Sequence, residues 1–351
     1  MAENDKNDKV AAAFKKIEDN VQNIFQSDAY KNYLSAMSKF YNYSLNNTIL
    51  IALQKPDATL VAGFNAWKKN FNRDVNKGEK GIAILAPCPF KKKIITEKKD
   101  EWGETVLNPD TGKPEMEEKQ VEYLSYRVVY VFDVKQTSGE PIPSLSIDKL
   151  QGESDIAKTL FSSVRELASE FDVNISYADK DDPTIKSGAN GYYNKLTRSI
   201  VVDPTMPLNQ QAKTMIHEIA HSVLHSDMSN NLPRDSKEIQ AESVAFAVMD
   251  HFGLDTSSYS FKYVAIWAQD KTPEELKTVL NAVQKDTQEI ISKIEPIFAE
   301  KQKEVQAIKQ NEENVAVAVG LTEESFFSKS NVNASSVNIT QKKNKHKSLE
   351  R

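Results

Sequence analysis

With 351 residues, 39% of them apolar and 27% charged, the chain is long enough for two domains of ordinary size. No stretch approaches the roughly 18 uninterrupted apolar residues of a membrane span, and the acidic, polar start MAENDKNDKV is no secretory leader, so a cytoplasmic protein without a membrane partner is expected. The single cysteine, Cys88, excludes an intrachain disulfide and a cysteine-rich zinc finger, leaving His and carboxylate as the only plausible metal donors.

Residues 1–9 read as disordered. From Val10 to Lys39 the apolar positions Val10, Phe14, Ile17, Val21, Ile24 and Phe25 recur at helical spacing, and Tyr30, Tyr33, Leu34 and Met37 continue it after a break near Ser27 and Asp28, with Asp28 as a cap. A third helix over Ser44–Gln54 ends at Pro56, and a short one is expected over Ala66–Phe71. Gly81–Pro87 reads as a strand stopped by proline, Lys91–Lys99 as a basic strand-like stretch, residues 100–122 as an exposed hairpin tip, and Tyr123–Val134 as a central strand. Together these predict a small α+β domain over 10–145, helices followed by an antiparallel sheet.

Net charge is −5, yet residues 31–99 hold 13 Lys or Arg against 4 Asp or Glu. Such a block points to a polyanion, with nucleic acid first in line. Single-strand binding needs cations along the backbone and flat rings for bases to stack on. Residues 38–81 offer both, and the candidate contacts are Lys39, Tyr41, Tyr43, Asn46, Asn47, Trp67, Lys68, Lys69, Arg73, Lys77 and Lys80. About half of the rings must serve the core, Phe64 and Phe71 foremost. The turn around Gly78 has no Walker spacing, so ATP binding is not indicated.

After the polar link TSGEPIPSLS, a second, mostly helical domain is expected over 150–312, then a flexible polar tail over 313–351. It opens with a helix over 154–170, short strands around Val173–Tyr177, Tyr192–Tyr193 and Ser199–Val202, then a helix carrying TMIHEIAHSVL. His217 and His221 stand four apart on one helical face, so both can grip one metal ion, with Glu218 beside them as general base: the HExxH pattern of zinc metallopeptidases. Zn2+ needs a third protein ligand, and the next helix, about Ser236–Phe252, supplies two candidates one turn apart. Glu242 sits in the more apolar surroundings, where an unpaired carboxylate is expensive, so it reads as the better ligand and Glu238 as the better partner for a histidine N–H. Tyr259 and Tyr263 are within reach as transition-state donors, His225 reads as a solvated histidine, and His251 as structural.

The chain resembles ArdC-like antirestriction proteins, carried by plasmids and conjugative transposons. The resemblance is borne by FYNYSLNNTILIALQKPDATLVAGFNAWKKNFNRDVNKGEKGIAILAP, YVFDVKQTSGEP, HEIAHSVLH and EIQAESVAFAVMDHFGLDTSSYSFKYVAIWA, and residues 156–294 resemble zincin-like metallopeptidases grouped with the ImmA/IrrE proteins. It implies an N-terminal domain that binds single-stranded DNA, a C-terminal metallopeptidase domain whose metal is held by His217, His221 and Glu242 with Glu218 as base, and protection of incoming DNA during conjugation. Two other readings stay open on the sequence: a non-catalytic DNA-protecting protein with a structural metal, and a metallopeptidase regulator that cleaves a specific repressor.

Overall fold

The structure, a computed structural model, describes residues 2–142, 153–226, 232–256, 259 and 261–318. Residues 1–294 form one compact unit and residues 295–351 a second. The first half mixes helices and strands and the second is predominantly helical, as the sequence implies.

Three helices come first: α1 (Ala2–Ile24), α2 (Ser27–Lys39) and α3 (Leu45–Gln54). α1 covers the stretch expected to be disordered, and Asp28 lies in the first turn of α2, with Gln26 at the cap. α2 buries Tyr30, Tyr33, Leu34 and Met37, the one-sided pattern read from spacing. Ser44 caps α3 by accepting from the Asn47 N–H. Then follow β1 (Val61–Gly63), α4 (Phe64–Phe71), β2 (Arg73–Val75) and a long hairpin of β3 (Ile82–Glu97) and β4 (Met116–Asp133). The sheet order is β1-β4-β3, and a separate pair joins β2 to β5 (Thr137–Gly139). The core of this half lies at the foot of the hairpin, where Ile82, Ile84 and Val131 meet Ala36, Phe40 and Ile51.

β3 does not stop at Pro87; it runs on through Pro89 to Glu97. The backbone N–H groups of Ala83 and Leu85 point away from β4, donating to the side-chain oxygens of Gln54 and Asn47. Pro87 and Pro89 continue the same alternation on this edge strand, so their missing N–H groups cost no ladder bond. A proline that ends a central strand is harmless here.

The second half holds α5 (Glu153–Leu167), β6 (Asn174–Tyr177), α6 (Pro183–Lys186), β7 (Gly191–Asn194) and β8 (Ser199–Val202). Its sheet has order β6-β8-β7, parallel then antiparallel, with β7 at one edge. Helices α7 (Leu208–Leu224), α8 (Arg234–His251), α9 (Lys262–Trp267) and α10 (Pro273–Ala318) complete the described chain; the expected link TSGEPIPSLS begins with β5, and its residues 143–146, like residues 319–351 of the expected tail, lie outside the described residues. From Ile239 to Met249 nearly every residue of α8 is buried, because α7 covers one side and α2 another. Tyr30 bonds Ser243 at 2.7 Å, while Ser35 and Ser38 both donate to Asp250, at 3.0 and 2.6 Å. His251 meets the Ser38 carbonyl at 2.9 Å, the structural role expected of it.

Candidate metal centre and nucleic-acid residues

α7 buries Ala212, Met215, Ile216, Ile219 and Ala220. Its partly buried face turns His217 and His221 toward a cleft of 910 Å³ that is lined also by Glu218, Glu238, Glu242, Tyr193 and Arg234. The two Nε2 atoms are 3.1 Å apart, and one oxygen of Glu238 lies 3.5 Å from the first and 3.6 Å from the second. A tetrahedral zinc with bonds of 2.0–2.1 Å spaces its ligand atoms roughly 3.3 Å apart, so these three donors fit that ion. They are the group of possible metal ligands found among the described residues.

Glu242 is placed differently from the expectation. One of its oxygens is 3.2 Å from Nδ1 of His217 and the other 2.8 Å from Nζ of Lys213, whose ammonium also lies over the Tyr259 ring at 3.7 Å. Its burial is thus compensated by a lysine and an imidazole N–H, the partnership expected of Glu238, while Glu238 takes the corner expected of Glu242. Burial would lower the His217 pKa, but the carboxylates of Glu238 and Glu242, with Glu218, outweigh it and lift it to about 9. The same two histidines hold Glu238 far below the usual carboxylate range.

His225 is not solvated; it is 1% exposed. Its Nε2 lies 2.8 Å from Oε1 of Gln240 and its Nδ1 3.0 Å from Nδ1 of His221. The Gln240 oxygen can only accept, so Nε2 of His225 carries the proton. Burial holds the His225 pKa down to about 4, so at neutral pH its Nδ1 is a bare acceptor and His221 must donate from Nδ1. Nε2 of His221 is then left as a lone pair facing His217 and Glu238. His225→Ala should therefore cost about 10–100-fold in zinc affinity. Competition with a chromophoric chelator measures it, and equal affinities for the wild-type and His225→Ala proteins would reduce His225 to packing.

Glu218 is 8% exposed and accepts the backbone N–H of Tyr193, and burial raises its pKa. That bond ties the carboxylate to the edge strand β7. The strand lies so close to α7 that a Cβ on Gly191 would meet Thr214 Cγ2 and the Val201 carbonyl, both at 2.7 Å. Neither Tyr259 nor Tyr263 lines the cleft. Tyr259 is buried, with its hydroxyl unpartnered among the described residues, and Tyr263 is 43% exposed. Burial and the charges of Glu242 and Glu238 push the Tyr263 phenol up to about 12.

The residues expected to meet DNA divide sharply. Trp67 is fully buried, its Nε1 donating to the Phe132 carbonyl, so it offers no face to a base. Tyr41 is buried edge-on against His251. Tyr43 is half-buried, bonded to the Val61 carbonyl and packed on Phe40. Asn47 spends its amide on Leu85, donating at 2.9 Å and accepting at 2.8 Å, and Asn46 is half-buried. Arg73 is tied to Thr137 and the carbonyls of Gly139 and Glu140, and Lys68 pairs with Asp74 at 2.7 Å. Lys39, Lys69, Lys77 and Lys80 stay exposed. Phe64, expected in the core, is 60% exposed, and Phe71 is half-buried against Trp67.

Residues 4–132 match the family described as the N-terminal domain of anti-restriction factor ArdC, and residues 168–251 match the IrrE N-terminal-like domain of the M78 peptidases. The uncharacterized protein pXO2-81 of Bacillus anthracis is 26% identical over 288 residues, covering 76% of this chain and 48% of that protein, so the chain spans about half the length of this curated relative. A metal-free crystal structure of the antirestriction ArdC protein from plasmid R388 is 19% identical, covering 74% of this chain and 86% of that one, with a TM-score of 0.38. Among the described residues no helix is long and apolar enough to cross a membrane.

Proposed function

Since the chain joins an ArdC-like antirestriction N-terminal domain to an IrrE-like, peptidase-family domain, we infer that it binds single-stranded DNA through its first half and hydrolyses peptide bonds at a zinc site in its second, in the service of protecting incoming mobile-element DNA. The observation that carries the peptidase part is the triangle of His217 Nε2, His221 Nε2 and Glu238 Oε2 with the buried Glu218 beside it. In this reading His217, His221 and Glu238 hold the metal, and Glu242 and His225 fix the two rings from behind.

Zinc bound there would supply Lewis acidity to polarise a scissile carbonyl. Glu218 removes a proton from the attacking water and returns it to the leaving amine; its raised pKa suits a group that must hold and release that proton. Among the described residues β7 pairs only with β8, and it borders the cleft, where its outward Tyr193 N–H holds Glu218 toward the space a substrate would enter. A purely structural zinc would be closed by four protein ligands, whereas three donors bordering an open cleft favour hydrolysis over that alternative.

The test is metal analysis of the purified chain with assays of candidate proteins, with and without single-stranded DNA. One zinc per chain and zinc-dependent cleavage support the reading; zinc without cleavage under either condition sinks its enzymatic part. Zinc uptake should also release protons. His217 titrates at about 9, so near pH 7 it is protonated and the incoming ion must displace that proton. Apparent affinity should climb up to about tenfold per pH unit between pH 7 and 9 and then level off. Titration calorimetry in buffers of different ionisation enthalpy reads the proton directly.

A further inference from the structure

Resting on the reading that the first half binds single-stranded DNA, we propose that the DNA lies along one face of the outer β3–β4 hairpin, stacked on Phe90 and Tyr123 and held by Lys92, Lys119 and Arg127. Residues directly opposite in an antiparallel ladder share a face, and faces alternate along each strand. The register Ala86↔Arg127, Cys88↔Ser125, Phe90↔Tyr123, Lys92↔Val121 and Ile94↔Lys119 therefore lines up these five side chains on one side.

Three features single out that side. Phe90 and Tyr123 stack at 5.6 Å and 22°, yet remain 47% and 40% exposed, beyond the core at the hairpin's foot. A flat, wet pair of rings is the platform on which bases stack regardless of sequence. Lys92, Lys119 and Arg127 are exposed, and among the described residues none of them forms an ion pair. The shaft's acids sort to the opposite side, where Glu122 faces Lys91 and Glu118 pairs with Lys93; on the DNA face the first acid is Glu117, beyond Lys119. The basic block from 31 to 99 has its densest cations here, at Lys91, Lys92, Lys93, Lys98 and Lys99, while most of its rings nearer the N-terminus are buried. Segregated cations around exposed rings specify a flexible polyanion with π faces, which is single-stranded nucleic acid.

The experiment uses the full chain and a fluorescently labelled oligothymidylate, with anisotropy read across a salt series. Phe90→Ala with Tyr123→Ala should weaken binding at least about tenfold. Lys92→Gln with Lys119→Gln should flatten the slope of log K against log salt by roughly 1.4, the loss of two phosphate contacts. Lys93→Gln, on the other face, should bind as the wild type does. All five positions are exposed, so folding is not at stake. If the wild-type chain binds and the ring and lysine pairs bind within twofold of it, or Lys93→Gln loses as much as the Lys92→Gln and Lys119→Gln pair, the hairpin face is overturned. If the wild-type chain itself binds no single-stranded DNA, the nucleic-acid reading of the whole first half falls, and this inference with it.

Discussion

Glu238→Ala is expected to empty the zinc site, whereas Glu242→Gln should retain zinc with affinity lowered about 10–100-fold. The asymmetry follows from where the two carboxylates point. The Glu238 oxygen reaches both Nε2 atoms, which no other carboxylate among the described residues does, while Glu242 faces only the Nδ1 of His217 and is already bonded to Lys213. Glutamine at 242 keeps one acceptor oxygen, enough to take the His217 N–H and hold the ring's orientation, while its NH2 end replaces the oxygen that Lys213 held. Alanine at 242 is the poorer probe, since it removes the acceptor of the His217 N–H as well as the partner of Lys213. Zinc content after dialysis and competition titration distinguish the cases. Retention by Glu238→Ala with loss by Glu242→Gln would return the ligand role to Glu242.

Glu218→Gln should lower hydrolysis by about 10²–10⁴ while zinc remains bound. The amide keeps the shape and can still accept the Tyr193 N–H, but takes no proton from water. Metal content and turnover must be measured on one preparation. Equal loss of both would make Glu218 a support for the site; loss of neither would remove it from the chemistry.

Much of the site was legible because its signals are local. Two imidazoles at i and i+4 share a face whatever the fold, and Met215, Ile216, Ile219 and Ala220 show which way the helix is buried. Which carboxylate faces both Nε2 atoms was not legible. Glu238 and Glu242 lie one turn apart on one face, so the choice depends on how α7 crosses α8, a tertiary quantity. The burial argument did identify the more buried carboxylate, with 23% against 44% of its side chain exposed. That carboxylate is satisfied instead by Lys213, on α7 itself, and a lysine four residues before His217 is the clue the sequence carried. Gln240 and His225 escaped for a similar reason, since their pairing spans two helices.

The nucleic-acid side shows a different limit. Interleaved rings and lysines over 38–81 describe composition, and composition does not separate Trp67, which pins α4 to the Phe132 carbonyl, from Phe64, which stands in solvent. Alternation along β3 and β4 does separate faces, but only once the register is known, and the prolines at 87 and 89 hide that register by imitating a strand end. Asn47 and Gln54 explain why they are tolerated, and both are on another helix.

α8 has a consequence for how such proteins can diversify. Its N-terminal end presents Glu238 and its C-terminal end holds Asp250 under Ser35 and Ser38, the two lying about 18 Å apart along one uninterrupted rod. The two matched families part between residues 132 and 168, yet this rod binds their territories into a single mechanical piece. A chimera spliced at that point from two relatives would inherit serines from one parent and the aspartate's surroundings from another, and any mismatch there would tilt the same helix that aims the carboxylate at the metal. Exchange of halves is thus confined to partners that agree along α2 and α8, so the two halves are inherited as a pair.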